Sequence, residues 1–320
     1  MIDRIDDPIT FESNVADERG DVRPPDGWVW EQWARWGRPA VLLLVVAVAF
    51  AVAQLALFDE GRFLEWDESV YIDKASDRFE GAAWSVHRAL GTSWLLVPLF
   101  QISSSFAAMR VYLVLASSVA LAVAFASWLR PIGRLAALGM LLFCVNWLTL
   151  FYGSEASPNL YVAAACVGAV GQLVQVGPES GRRPFVLLAI GVGLATLFRP
   201  TDGIVLAVGV SAAGFFIGAR RDAWRASVAA GVGLVAGFVP WVVDSLVNFG
   251  GPIDRWQEAS ELVESSLRLQ LSNHAKLLDG PLVGPDTAGG YPLVQLLILL
   301  VLIGLGVLGC LLYTSDAADD

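Results

Sequence analysis

The sequence predicts an all-α fold, a polytopic transmembrane helical bundle of about eight spans, and three observations predict it. Apolar residues fill 56% of the 320 positions and charged ones only 16%, against about 25% charged in an ordinary soluble domain. Mean hydropathy is +0.60. The charges are also segregated: they crowd into residues 1–38, 59–88 and 248–286. Between them lie apolar runs of about 20 residues, the helical length that crosses a hydrocarbon core of about 30 Å.

Residues 1–38 are acidic, then rich in Pro and Trp, and show no apolar periodicity. They read as a disordered cytoplasmic tail ending in an interfacial stretch, WVWEQWARW, whose tryptophans suit a membrane–water boundary. The acidic start differs from the basic start of a cleaved signal peptide, so residues 40–58 read as a retained first span. A transmembrane domain over 39–312 follows, with outer loops at 59–105 and 248–290, the first carrying short amphipathic helices. Further spans are expected near 106–129, 135–151, 158–176, 185–198, 203–219, 226–247 and 291–312, punctuated by Pro131, Gly177, Pro178 and Pro184.

Residues 93–102, SWLLVPLFQI, are too short to cross and read as interfacial or re-entrant. The brief span at 185–198 runs into RPTDG, a turn expected at the outer boundary. The last span ends in CLLYTSDAADD with no basic flank. Residues 313–320 resemble translated sequencing-adapter read-through and are expected to be non-native, the natural chain continuing past them.

Arg35 and Arg38, then Arg130 and Arg134, Arg182 and Arg183, and finally Arg220, Arg221 and Arg225 mark every second connection. The positive-inside rule puts these connections and the N-terminus in the cytoplasm. FYGSEASPN, RPTDG and both long loops then face outward, and the expected location is the cell membrane, with the functional loops extracytoplasmic. A net charge of −10 with no basic patch argues against a nucleic-acid partner. Cys144, Cys166 and Cys310 lie inside apolar runs and read as small hydrophobes. His87 and His274 are far apart, and no metal-ligand spacing is visible.

Ionisable groups near a membrane core are costly, so those kept there are functional candidates. Asp67 and Glu68 follow the first span. Neighbouring carboxylates point in different directions on a helix, so one can act as general base while the other orients a partner; a hydrated loop face is the plain alternative. His87, Arg88 and Arg110 frame the approach to the next span. Arginine's planar fork suits phosphate, though an arginine also simply snorkels to the interface. Glu155 sits in the polar turn YGSEASPN. Arg199 and Asp202 stand between two apolar helices, where Pro200 keeps Phe198-Arg199 from continuing as helix. They read as a structural ion pair or as a seat for an anionic head group.

In this order the motifs resemble the GT-C superfamily of integral membrane glycosyltransferases, over residues 40–247. Related members carry an acidic pair in the first outer loop, here Asp67-Glu68 followed by Tyr71. They continue with a histidine-led stretch into a span bearing arginine, here HRALGTSWLLVPLFQISSSFAAMR, and an RPT turn of the dolichol-linked mannosyltransferase branches, here Arg199-Pro200-Thr201. The prolines those members carry after the histidine are here Arg88-Ala89, and HPDE is EWDE.

The resemblance implies transfer of a sugar, mannose among the candidates, from a polyprenyl-phosphate-linked donor. The acceptor is an extracytoplasmic glycan, lipid or protein, and transfer inverts the anomeric carbon. It makes Asp67 the general base, with Glu68 beside it. A cation beside the departing phosphate suits the chemistry, Arg199 first and Arg110 second. Tyr71, His87, Arg88, Glu155 and Asp202 are the substrate-binding candidates. Some members use a divalent metal, for which Asp67, Glu68 and Glu155 offer oxygens. Competing readings are a transporter or flippase for a lipid-linked or anionic substrate, which would show repeats and charges at mid-membrane, and a polysaccharide polymerase or ligase with a large late loop.

Overall fold

The computed structural model describes residues 37–57, 64–76, 84–177, 180–217 and 220–262. The expected tail over 1–36, most of the second outer loop, the span at 291–312 and the end at 313–320 lie outside them. Among the described residues the secondary structure is helical throughout. Three helices are long and apolar enough to cross a membrane: α1 (Arg38–Leu57), α4 (Phe106–Ala126) and, over Asp222–Asn248, the helix α11. A bent pair, α6 (Leu135–Cys144) and α7 (Trp147–Gly153), makes up to four.

Between α1 and α4 lie the short helices α2 (Trp66–Ser76) and α3 (Gly91–Phe100), and α5 (Leu129–Ile132) follows α4. Then come α8 (Asn159–Leu173), α9 (Arg183–Phe198), α10 (Pro200–Ile217), α11 (Arg220–Asn248) and α12 (Pro252–Leu262).

Among the described residues, length and composition alone support three or four of the expected eight or so spans. The windows counted cap and turn residues as helix. The run at 135–151 breaks by 77°, because Asn146 leaves the helical conformation and its side chain caps Leu148 N at 2.9 Å. The run at 158–176 contracts to the 15 residues of α8, which rise about 22 Å.

The bundle is apolar outside as well as inside. Helix α1 buries Leu43, Ala47, Phe50 and Gln54, one stripe at helical spacing, while Leu44, Val45, Val48 and Val52 stay more than half exposed. A soluble domain rarely shows so continuous an apolar surface. Serine and threonine hydroxyls inside the helices turn back to the carbonyl four residues earlier, as in Ser118 to Val114 O (2.7 Å) and Thr196 to Val192 O (2.8 Å). This satisfies them without water.

Two of the core clusters draw on most of the bundle. One gathers Leu43, Phe50, Leu121, Met140 and Leu160 from α1, α4, α6 and α8. The other gathers Leu173, Leu188, Val192, Val210 and Ala230 from α8 to α11. Helices α9 and α11 approach through small residues, as membrane helices do when close contact replaces the hydrophobic drive. A Cβ on Gly193 would lie 3.1 Å from the Gly233 carbonyl, and one on Gly233 would overlap the Ala189 carbonyl.

The piece at 93–102 forms most of α3, a 10-residue helix with Trp94 exposed, and Ile102 is exposed just past its end. Its start touches the far end of α9: a Cβ on Gly91 would come within 2.9 Å of Leu197 O and Phe198 Cα. This close approach seats the segment between α1 and α4 beside Arg199.

Candidate functional site

The polar segments meet at one end of the bundle, and helix α2 organises them. Its buried stripe is Glu68, Tyr71 and Ile72, at the spacing of one helix face. Asp67, one residue from Glu68, is turned about 100° away and its side chain is 66% exposed. The two acids in the first turn also favour the positive N-terminal end of the helix dipole.

Glu68 is 1% exposed and fully engaged. Arg110 donates to it from both NH groups, Nη2 to Oε2 at 2.8 Å and Nη1 to Oε1, while Ala156 N donates to Oε1 at 2.9 Å and Glu65 N to Oε2 at 3.2 Å. Arg110 Nη1 also donates to Ser154 O at 2.7 Å. A buried fork-to-fork pair of this kind ties α2, α4 and the 154–156 turn together. The structure therefore corrects two expectations. Arg110 faces Glu68 rather than a phosphate, and Glu68 has no oxygen left for chemistry.

Asp67 pairs instead with Arg88. The Arg88 guanidinium lies 5.0 Å from the centre of the Tyr71 ring. Burial raises the Tyr71 phenol above its ordinary pKa, although donation from the Arg88 guanidinium and the positive charges of Arg88 and Arg199 oppose the rise. Tyr71 is thus neutral and able to donate at physiological pH. Asp67 and Arg88 lie beside this ring, and the Arg199 charge is felt there.

Arg199 is the one non-helical residue between α9 and α10, extended at φ −150° and ψ 101°. RPTDG is therefore a helix junction rather than a turn, with Pro200 opening α10. The Arg199 side chain is half exposed, bonds Asn159 Oδ1 at 3.0 Å and faces Asp202 at 3.6 Å. His87 is exposed in the turn before Arg88. Glu155 is 1% exposed in the turn that bonds Glu68.

Sequence reasoning missed a second buried network. Arg255 on α12 is fully buried and donates Nε to Val86 O (2.9 Å), Nη2 to Arg88 O (2.6 Å) and Nη1 to Asp244 (2.9 Å) and Ser245 Oγ (3.1 Å). Its guanidinium also lies 4.3 Å from the Phe249 ring centre. Asp244 further accepts from Trp84 Nε1 at 2.9 Å and from Asn248 at 2.7 Å, with Lys74 at 3.8 Å. Helix α12 thus clamps the backbone that carries Arg88. The signal was present: Asp244 is the lone acid in the run 226–247.

Among the described residues no group of three or more His, Cys, Asp or Glu side chains converges for a metal. Glu68, committed to Arg110, does not fit as a ligand. Below the cluster an apolar groove of about 1100 Å³ runs between α8 and α10, from Asp202 at the polar end to Trp128 and Arg130 at the other. Comparison with known protein families, curated proteins and solved structures finds no match.

Proposed function

We propose that the protein is a multi-pass membrane glycosyltransferase of the GT-C kind, acting at the outer face of the cell membrane. It moves a sugar, with mannose the leading candidate, from a polyprenyl-phosphate carrier to an extracytoplasmic hydroxyl. The observation that carries this reading is the exposed Asp67 carboxylate, paired with Arg88 beside Tyr71, at the same end of the bundle as the half-exposed Arg199 guanidinium, where an apolar groove starts at Asp202. A lipid-linked donor needs both surfaces at once, a polar seat for phosphate and sugar and an apolar path for its chain.

In this reading Asp67 takes the proton of the acceptor hydroxyl as its oxygen bonds the anomeric carbon. The bond from that carbon to the carrier phosphate breaks on the opposite side, inverting the centre. Charge gathers on the departing phosphate, where Arg199 offers its donors. Arg88 holds Asp67 in place, and Tyr71 offers a hydroxyl to the sugar.

Basic residues at alternate connections put the Asp67 end outside, and the short helices α8, α9 and α10 count as crossings in a locally thinned or tilted arrangement. The described helical charges all lie within two turns of a helix end, as with Arg110, Asp202 and Asp244, which favours an enzyme over a carrier with a mid-membrane site.

Purified full chain in detergent, given a panel of radiolabelled polyprenyl-phosphate sugars and crude envelope acceptors, should release free polyprenyl phosphate and label one acceptor class. Movement of the intact lipid between leaflets of proteoliposomes, without cleavage, would replace this reading by the flippase.

A further inference from the structure

A second cavity, of about 510 Å³, lies on the other side of α8, enclosed by α4, α8 and α9. Its walls are small or apolar: Ala124, Ala164, Gly168, Gly191 and Leu194. One end is closed by Tyr161 and Phe198, whose rings stack at 5.2 Å. The other end holds Arg130 and Arg183, both exposed. From Tyr161 to Gln175 along α8 the cavity extends about 20 Å.

The two guanidiniums distinguish this cavity from an ordinary bilayer-facing groove. Among the described residues, the arginines at the opposite end of the bundle have acidic partners: Arg88 with Asp67, Arg110 with Glu68, Arg199 with Asp202 and Arg255 with Asp244. Arg130 and Arg183 have none among the described residues. They stand together at the mouth of an apolar slot, beside Gln175, whose amide bonds Ser127 O at 2.7 Å and Gly171 O at 2.9 Å and fixes the rim.

The geometry points to a binding site for an anionic phospholipid, its phosphate between Arg130 and Arg183 and one acyl chain laid along Gly168 and Gly191. Guanidinium forks match phosphate oxygens, and basic pockets between membrane helices take such head groups. The site lies at the end of the bundle away from Asp67. It rests on the membrane reading and is independent of sugar transfer, so either can fail alone.

The test is photocapture in phosphatidylcholine nanodiscs holding the full chain and a trace of phosphatidylglycerol with a diazirine in its acyl chain. Crosslinks are expected on α8 and α9 between residues 161 and 194. Each charge near a surface contributes about fivefold, so Arg130→Gln or Arg183→Gln should lower capture about fivefold and the pair about twenty-five-fold. Arg130→Lys with Arg183→Lys should retain most of it. Gly168→Phe, which fills the slot with both arginines intact, should abolish it.

Equal capture of a phosphatidylcholine analogue, unchanged capture by the double glutamine variant, or unchanged capture by Gly168→Phe would each overturn the proposal. So would full displacement by inorganic phosphate, since the acyl chain would then contribute nothing.

Discussion

Arg110 closes both NH groups on the Glu68 carboxylate, buried between α2, α4 and the 154–156 turn. The residue beside Glu68, Asp67, is left facing solvent with Arg88. Two adjacent acids in one short motif thus sit differently, one holding α2 to the bundle and the other exposed beside Arg88.

Removing one partner of the buried pair leaves the other charge uncompensated, at a cost of about 3–5 kcal/mol. Arg110→Met is therefore expected to lower the midpoint of thermal unfolding in detergent sharply. Arg110→Lys should recover little, because an ammonium cannot reproduce the two parallel bonds. The Arg110→Met, Glu68→Leu double variant should be more stable than either single one. A double no better than the singles would show that the pair does not act as a unit.

The contact between α9 and α11 depends on Gly233 having no side chain. Gly233→Leu should drive the Ala189 backbone away, at a cost of about 1–3 kcal/mol or more, read as loss of monodisperse protein on extraction. Gly231, with open space beside it, should accept alanine with little change. Equal effects at both positions would contradict the packing described.

Arg255 holds the carbonyls of Val86 and Arg88 from across the second loop. Arg255→Gln should free the backbone under Arg88. Proteolysis between residues 84 and 90 should become faster while the far end of the bundle, around Ser127 and Gln175, keeps its resistance. Uniform loss of resistance would mean that Arg255 supports the whole bundle rather than this loop.

Arg199 is half exposed, bonds Asn159 and faces Asp202, so its replacement should leave folding intact. Arg199→Ala should lower sugar transfer about 100- to 1,000-fold, the usual loss when one donor to a developing charge is removed. The loss should fall mainly on the rate at saturating donor. A change in donor affinity alone would assign Arg199 to binding.

The helical class and the apolar outer surface were legible because hydropathy reports burial in lipid directly. Positions of helix ends were less so. Asn146 breaks a run that hydropathy reads as continuous, and RPTDG, which resembles a loop, continues as α10 after a single extended residue. The site was legible in part. Asp67, Arg88 and Tyr71 lie together, Arg199 bonds Asn159 and faces Asp202, and Glu68 and Arg110 pair with each other. Sequence spacing cannot show which of two adjacent acids faces inward until the neighbouring turn at 154–156 is placed. Asp244, a lone acid in an apolar run, was a signal left unread, because its partner Arg255 lies past the helix end and fixes itself on the Val86 and Arg88 carbonyls, which leave no trace in sequence.

The central claim is that Asp67 removes the acceptor proton. Asp67→Asn keeps the shape and its contact with Arg88, so its transfer rate from a polyprenyl-phosphate sugar can be compared, at equal membrane abundance, with that of Glu261→Gln, an exposed acid on α12. The account predicts a fall of about 100- to 10,000-fold for Asp67→Asn, donor binding retained, and no change for Glu261→Gln. Transfer by Asp67→Asn at the parent rate would contradict it.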